Sequence, residues 1–468
     1  MSTSSPTEPA SRGLDPRKAV PIILGIFFFS LIIDNGFKFM TKAIQDDLHL
    51  TAAQASLQAT LAGLVIGIGA VVYAALADSV SMRKLLYACV TLIAIGGVLG
   101  FLFHGSFVMV VVARLVQTTG LAAGETLYVI YVTKYIPAKQ QKTYLGFSTA
   151  AFQASTLFGA VASGFIATYV SWTAMFIIPV IMLLSIPIVK RRVPVAEATT
   201  SHFDALGLFI IAVTVTGILL FLQAFNWAYM IVVVAGIVAF IWHIRAHEGA
   251  LVRPEFFKNK RFSVIIALVF VIYSVQLGYV ILEPYIAANV YHLTIDKASL
   301  LLIPGYVCAI IVGCSSGWVG RHLSSRLTIF VGLMGIIVAL VIAAVFMQLG
   351  RGAMIVSAIF FPSSFALIYA PLLATAIRDI PAEKTGIAIG FYNLTINVAV
   401  PVGIAYTAKL IDLKPMAFAW ASLSHTEAAR SSSTILWILA IIVAVGAAGY
   451  MAAASKLHAA EVTEKKAE

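Results

Sequence analysis

The sequence predicts an all-α integral membrane protein with about fourteen transmembrane helices, arranged as two related six-helix bundles and a central inserted helix pair. Three observations predict this class. The 468 residues are 61% hydrophobic and only 11% charged, and the mean hydropathy is +0.98, which is more apolar surface than a soluble domain can bury. Long apolar runs recur along the whole chain. A polar stretch of the first third returns in the last third, as expected for two related halves.

Fourteen apolar runs approach the length of about 20 residues that crosses a bilayer as a helix. Each run is bounded by charged residues, Pro or Gly. Two of them meet across Asn226 with almost no connecting loop. In round limits the predicted spans are 20–42, 53–76, 85–104, 107–133, 143–169, 173–189, 203–224, 227–245, 261–289, 298–319, 327–348, 353–377, 385–411 and 433–454.

The internal repeat defines the order of the halves. KYIPAKQQKTYLGF from Lys134 returns as RDIPAEKTGIAIGF from Arg378, an offset of 244 residues, and LADSVSMRK from Leu76 pairs with VGRHLSSRL from Val319 at nearly the same offset. Both pairs are basic joints between spans, and they coincide if spans 1–6 and 9–14 are the two halves. The predicted divisions are a cytoplasmic tail 1–19, a bundle 20–192, a central pair 203–245, a bundle 261–454 and a cytoplasmic tail 455–468.

The net charge of +11 has a membrane explanation. If the N-terminus is cytoplasmic, 23 of the 31 Lys and Arg residues fall in cytoplasmic segments, 5 in outside segments and 3 within spans. This alternation follows the positive-inside rule. We therefore expect a multi-pass protein of the cell membrane, surrounded by lipid bilayer, with both termini in the cytoplasm and no nucleic-acid partner.

Ionisable residues at membrane depth are costly and are candidates for function. Asp34 and Lys38 lie one turn apart in span 1, and Arg114 lies in span 4. At about 1.5 Å of rise per residue, all three fall at similar depth, roughly 4–10 Å outside the midplane. One interpretation is a structural ion cluster between spans 1 and 4. The other, which we favour and which does not exclude the first, is an acid that responds to protons or to a charged substrate.

Two further acids lie within spans. Glu125 falls about 7 Å inside the midplane with no evident neighbour of opposite sign. It is either a proton- or substrate-handling group or a neutral, hydrogen-bonded structural acid. Glu283 precedes Pro284 near the outer end of span 9, and there we expect the side chain to snorkel to the interface.

Neutral polar residues suggest a substrate cavity. Asn393 and Asn397 lie one turn apart near the middle of span 13. They either bind substrate or hydrogen-bond a neighbouring helix. With Gln153 and Tyr128 they are the candidate residues of the cavity.

A motif in span 4 carries a family resemblance. Arg114, Gln117, Gly120, Ala122 and Ala123 occupy positions of an R-x-x-Q-G-x-G-A-A pattern. With its inserted pair, nearly the whole chain resembles the fourteen-span type of the major facilitator superfamily, which includes tetracycline and multidrug proton antiporters. The resemblance implies a role in proton coupling for Arg114 and equates Asp34 with the helix 1 acid of the family.

A second signature of that family survives in part between spans 2 and 3. Its matching residues are Leu76, Asp78, Arg83 and Lys84. The resemblance implies that Asp78, Arg83 and Lys84 help to lock a cytoplasmic gate.

Several positions depart from the family pattern. Ala74 and Ser81 replace the two glycines of the span 2–3 signature, and Thr118 replaces a glycine of span 4. The span 5 motif associated with exchange is reduced to Gly159–Ala160 and Ser163–Gly164. Span 1 lacks the polar-to-proline run of the drug exporters and carries Lys38 within it.

The predicted function is proton-coupled secondary transport by alternating access, with export of an amphipathic organic compound or drug in exchange for protons. We expect a monomer without cofactor or metal, driven by a proton gradient. The alternative is symport or export of an anionic metabolite, peptide-like compound or metallophore, because Lys38 and Arg114 suit a carboxylate. The chain has no H-E-x-x-H motif and no Gly-Lys dipeptide, which argues against an enzyme or an ATP-driven pump. A channel or receptor gives no reason for the repeat.

Overall fold

Fourteen helices in the described part of the chain are long and apolar enough to cross a membrane, which confirms the predicted number. The computed structural model describes residues 15–194, 204–247, 259–315, 319, 322–378, 380 and 385–467. The helices are α1 (Val20–Phe39), α2 (Ala52–Ser79), α3 (Met82–Leu102), α4 (Phe107–Tyr135), α5 (Ala138–Tyr169), α6 (Ala174–Arg192), α7 (Ala205–Ala224), α8 (Ala228–Ala246), α9 (Lys260–Asn289), α10 (Ile295–Cys314), α11 (Ser325–Phe346), α12 (Arg351–Ile377), α13 (Thr385–Leu413) and α14 (Glu427–Ala467).

Two helices differ from simple apolar spans. The middle of α6, Ile178–Ser185, is a 3₁₀ helix between two short α-helical segments. Pro179 and Pro187 explain this, because a proline has no N–H for the α-helical hydrogen bond. The helix α14 continues beyond the predicted limit of its span at 454, to Ala467.

Each half packs around its own apolar core. One core includes Phe37, Ile93 and Phe176, and the other includes Ile336 and Phe361. The pairs α1–α4, α1–α5, α2–α4 and α3–α4 recur as α9–α12, α9–α13, α10–α12 and α11–α12. The fold is therefore two six-helix bundles with the same internal packing, as predicted, while the exact limits of the predicted divisions stay a prediction.

The two bundles meet along two helix pairs, α2 with α13 and α5 with α10. We call these the α2–α13 seam and the α5–α10 seam. The inserted helix α7 packs against both α2 and α13, and α8 packs against α7. The left-handed residue Phe225 ends α7 and turns the chain into α8. The central pair therefore lies on the outside of one seam.

The bundles are in contact at the side where α1 ends, which we call the outer face. The side where α1 begins is the inner face. At the outer face Phe39 and Ala160 of the first bundle share one apolar cluster with Ala298, Leu302 and Tyr306 of the second. The outer face is therefore closed in this structure.

Candidate functional site

The carboxylate of Asp34 lies between two cations, as predicted. Lys38, one turn later on α1, donates a hydrogen bond from Nζ to Oδ2. Arg114 on α4 places Nη2 3.4 Å from Oδ1. The exposed fractions are 2% for Asp34, 9% for Lys38 and 0% for Arg114. Because removing Asp34 would leave two buried cations without this carboxylate, both cations depend on it.

The Arg114 guanidinium has two further contacts that hold it in place. Its Nη1 donates a hydrogen bond to Oε1 of Gln117 over 2.9 Å. Its Cζ lies 4.1 Å from the centre of the Phe37 ring, within the range of a cation–π interaction. The spacing of Gln117 on the same helix gave a signal for the first contact. The Phe37 contact was not predicted, because it depends on how α1 is rotated against α4.

Glu125 differs from the expectation of an isolated acid. It lies close enough to Asp34, Lys38 and Arg114 to interact with each of them electrostatically, because α1 packs directly against α4. Its Oε1 is buried and has no hydrogen-bond partner among the described residues. We call Asp34, Lys38, Arg114 and Glu125 the charged cluster. It contains two acids and two bases inside the first bundle.

The two asparagines of α13 lie at the α2–α13 seam. A Cβ added to Gly67 would be 2.7 Å from Cβ of Asn397, and one added to Gly63 would be 2.8 Å from Cγ of Pro401. Asn393 is exposed and lies one turn before Asn397 on the same face. Asn397 donates from Nδ2 to the carbonyl of Asn393 over 3.0 Å. This bond is within one helix rather than to a neighbouring helix.

The other two candidate cavity residues are placed differently from each other. Gln153 is half-buried on α5. Tyr128 is fully buried, with its ring 5.4 Å from that of Phe27 and its hydroxyl donating to the carbonyl of Tyr144 over 2.7 Å. In this conformation Tyr128 packs inside the bundle, and its place in a substrate cavity stays a prediction.

The predicted gate residues have contacts within the first bundle. Arg83 donates from Nε and Nη2 to the carbonyl of Val193, over 3.0 and 2.5 Å, and so joins the start of α3 to the end of α6. Lys84 is exposed. The side chain of Asp78 lies outside the described residues. A gating role for the three stays a prediction.

Glu283 contradicts the expectation that it snorkels to the interface. It is 1% exposed, because α9 packs against both α10 and α12. The Tyr279 hydroxyl lies 3.4 Å from Oε1 of Glu283 and 2.9 Å from Oγ of Ser357. Oε2 is buried without a hydrogen-bond partner in the described part of the chain. The sequence showed only the depth of this acid and not the helices around it.

Each seam has a carboxylate at the outer face, and a contact across the seam was predicted for neither of them. Asp412 accepts hydrogen bonds from the backbone N–H groups of Ala52 and Ala53, over 2.7 and 2.8 Å. On the other seam Asp296 accepts from the hydroxyls of Thr168 and Tyr169, over 3.3 and 3.1 Å. These pairs join residues more than 120 positions apart, so spacing along the chain carried no signal for them.

Comparison with known protein families identifies the superfamily of the chain. Residues 23–404 match the Major Facilitator Superfamily. The chain belongs to this superfamily. It is therefore a multi-pass membrane transporter and not an enzyme. It is 22% identical over 411 residues to the multidrug resistance protein Stp of Mycobacterium tuberculosis (strain CDC 1551 / Oshkosh), covering 83% of this chain and 75% of Stp.

Other similar proteins are also named as multidrug resistance proteins or transporters. The putative multidrug resistance protein MdtD of Salmonella heidelberg (strain SL476) is 24% identical over 256 residues, which covers 52% of this chain and 53% of MdtD. The solved nucleoside transporter NupG superposes with a TM-score of 0.67 at 12% identity, over 93% of this chain and 99% of NupG. A D-xylose-proton symporter superposes with a TM-score of 0.59 at 15% identity, over 92% and 96%. At these identities the solved structures establish the fold.

Proposed function

We propose that this transporter exports amphipathic organic compounds in exchange for protons. The observation that carries the proposal is the burial of Asp34 between Lys38 and Arg114 within one helix pair. A buried acid so placed changes the charge balance of the bundle when it binds one proton. The names of the relatives Stp and MdtD, both multidrug resistance proteins, support the class of compound.

Proton binding at Asp34 gives a physical route to a conformational change. With Asp34 ionised, its carboxylate compensates two buried cations. A proton on the carboxylate neutralises Asp34. Glu125 is then the remaining acid of the charged cluster that can compensate Lys38 and Arg114. Because an uncompensated buried charge costs several kcal/mol, protonation favours a conformation in which one of the cations is hydrated. The proton thereby biases the equilibrium between the inward and outward states.

The other members of the cluster have separate parts in this proposal. Gln117 and Phe37 hold the Arg114 guanidinium, so a change at Asp34 is felt mainly by Lys38, whose longer and more flexible stem is free to move. Glu125 is a second titrating group in electrostatic contact with all three. Arg114 is a positioning residue for the proton site.

The remaining predictions complete the proposal. The bundles 20–192 and 261–454 rock against each other, and the pair 203–245 stays with the seam against which α7 packs. We place the inner face and both termini on the cytoplasmic side of the cell membrane. The transporter acts as a monomer, without a cofactor, and the proton gradient supplies the free energy. Asn393, Asn397 and Gln153 contribute to the substrate cavity once the bundles part.

The test is proton movement in proteoliposomes of purified protein under an imposed pH gradient. A trapped pH dye reports protons, and ethidium and tetraphenylphosphonium serve as lipophilic cations. We expect either cation to dissipate the gradient with the natural chain and not with Asp34→Asn. Asp46→Asn is the matched control, because Asp46 is an outer-face acid whose only ion pair in the described chain is with Lys42. Full gradient-driven flux in Asp34→Asn refutes the role of Asp34.

A second candidate function rests on the same two cations. If Asp34 is protonated, Lys38 and Arg114 are available to a substrate carboxylate, which would make the protein a transporter of an anionic metabolite, peptide-like compound or metallophore. With salicylate as the probe in the same vesicles, Lys38→Ala should then abolish binding while the coupling of protons stays intact. Unchanged salicylate affinity in Lys38→Ala rejects this version.

A further inference from the structure

The second bundle contains a buried acid that the proposed mechanism does not use. Glu283 lies on α9, roughly 13 Å to the outer side of the middle of that helix at about 1.5 Å of rise per residue. Its side chain is enclosed by its own helix, α10 and α12. The only hydrogen bond to it in the described part of the chain is the 3.4 Å contact of Tyr279 with Oε1, and Oε2 has none.

No described cation compensates Glu283. The groups that interact with Glu283 electrostatically are neutral phenols, those of Tyr279 on α9, Tyr306 on α10 and Tyr291 after α9. On α12 the Ser357 hydroxyl is hydrogen-bonded to the Tyr279 hydroxyl. The charged groups of the outer ends of neighbouring elements have other contacts. They include Lys38 with Asp34, Lys42 with Asp46, Asp412 with the start of α2, Asp296 with Thr168 and Tyr169, Arg430 with the carbonyl of Ser424, and Arg351 near Tyr291. Lys297, beside Asp296, is exposed.

A carboxylate in such a place is unfavourable. Removing an ionised carboxylate from water without a paired cation and with its lone pairs unsatisfied costs several kcal/mol. A neutral carboxyl group avoids most of that cost and can share its O–H with the Tyr279 hydroxyl. The closed structure therefore favours Glu283 with a bound proton.

Glu283 is also next to the contact between the bundles. Tyr306, one of its electrostatic neighbours, belongs to the apolar cluster in which Phe39 and Ala160 of the first bundle meet the second bundle. Ala358, which follows Ser357 on α12, is in the same cluster. When the outer face opens, the two sides of this cluster separate. Water then reaches the residues that cover Glu283.

We propose that Glu283 is a second proton-binding site, which takes up one proton from the outer solution when the outer face closes and returns it when that face opens. On opening, the carboxyl O–H bond breaks and its proton passes to water, which leaves a hydrated carboxylate. The site rests on the alternating-access transport proposed above but not on the role of Asp34. Because closing binds a proton, acid on the outer side stabilises the closed state and base destabilises it.

The test measures closure directly and needs no substrate. Gly105 and Gly352 lie at the outer face in different bundles, and a side chain at either position meets nothing within 4 Å. Spin labels on Gly105→Cys and Gly352→Cys, after replacement of Cys308 and Cys314, report the distance between the bundles by double electron–electron resonance. We expect the full-length protein in lipid nanodiscs to show a longer distance as the pH is raised, and Glu283→Gln to keep the short distance throughout.

Controls separate this site from other acids. Glu427→Gln removes an exposed glutamate of the outer end of the same bundle and should leave the pH-dependent lengthening intact. An infrared spectrum should show the carbonyl band of a protonated carboxyl group that disappears in Glu283→Gln and remains in Glu427→Gln. Glutamine resembles the protonated side chain in size and polarity, so this variant is expected to fold.

The outcomes are distinct from those of the main proposal. If the distance does not respond to pH in the natural protein, or responds equally in Glu283→Gln, the second site is rejected. If Asp34→Asn keeps full gradient-driven flux while Glu283→Gln abolishes the lengthening, the role of Asp34 fails and the second site stands. Loss of flux in Asp34→Asn with an unaltered distance response in Glu283→Gln gives the reverse conclusion.

Discussion

The Asp412 carboxylate, near the end of α13, accepts a hydrogen bond from the backbone N–H of Ala52, the first residue of α2, over 2.7 Å. The N–H of Ala53 donates to the other carboxylate oxygen. The first N–H groups of a helix have no partner within the helix, and the helix dipole makes this end positive. One side chain of the second bundle therefore completes the start of a helix in the first bundle.

We expect Asp412→Ala to weaken closure of the outer face. Loss of charge-assisted bonds to two N–H groups costs roughly 1–3 kcal/mol, which corresponds to a population shift of about 5- to 150-fold. The distance between labels at Gly105→Cys and Gly352→Cys should lengthen at neutral pH. Asp46→Ala is the control, because this outer-face acid pairs with Lys42, four residues before it. An unchanged distance in Asp412→Ala would show that the contact does not hold the seam.

The α5–α10 seam should show a graded response. Tyr169→Phe removes one hydroxyl bond to Asp296, whereas Asp296→Ala removes the acceptor of both the Thr168 and Tyr169 hydroxyls. We therefore expect a smaller shift toward the open state from Tyr169→Phe than from Asp296→Ala. The same pair of spin labels measures both. Equal shifts would mean that Thr168 contributes nothing to the contact.

Arg114→Ala should destabilise the first bundle. Breaking a buried ion pair by removing one partner costs roughly 3–5 kcal/mol, and here a cation–π contact and the bond to Gln117 are lost as well. The apparent unfolding temperature of the purified protein in detergent should fall clearly. Arg351→Ala, which removes an exposed arginine at the outer end of α12, should leave it nearly unchanged. Similar melting curves for the two variants would contradict the importance of the charged cluster to the fold.

Close packing of α9 and α13 predicts an intolerant glycine. A Cβ on Gly403 would lie 1.5 Å from the carbonyl oxygen of Ser274, a backbone atom that cannot move without separating the two helices. We expect Gly403→Ala to lower the yield of folded, monodisperse protein in size-exclusion chromatography. Gly25→Ala meets nothing within 4 Å and should be neutral or stabilising by up to about 1 kcal/mol. Wild-type yield from Gly403→Ala would show that the helices can separate at little cost.

The features that depend on a single helix were predicted from the sequence. Apolar runs of sufficient length determined the fourteen spans, and a one-turn spacing brought Asp34 and Lys38 together. Arg114 was assigned to the same group because depth along a span can be counted. These inferences need only helix geometry and the cost of charge in lipid.

What depends on the packing of several helices was not predicted. The surroundings of Glu283 come from α10 and α12, so its position near Pro284 wrongly suggested the interface. The hydrogen bond from the Tyr128 hydroxyl to the carbonyl of Tyr144 on α5 was not predicted either. Glu125 was expected to have no neighbour of opposite sign, whereas it interacts electrostatically with Lys38 of the neighbouring helix α1 as well as with Arg114. Rotation about the helix axis, which a single sequence does not supply, decides each of these.

The position of the inserted pair makes the two lipid-facing flanks of the molecule different from each other. Helix α7 covers the junction of α2 and α13, and no further helix packs in the same way on α5 and α10 among the described segments. A compound dissolved in the acyl chains therefore meets a screened flank on one side and an unscreened flank on the other. A sideways path from the hydrocarbon layer to the space between the bundles would have to pass α7 on one flank and not on the other, so the two flanks differ although the bundles repeat one another.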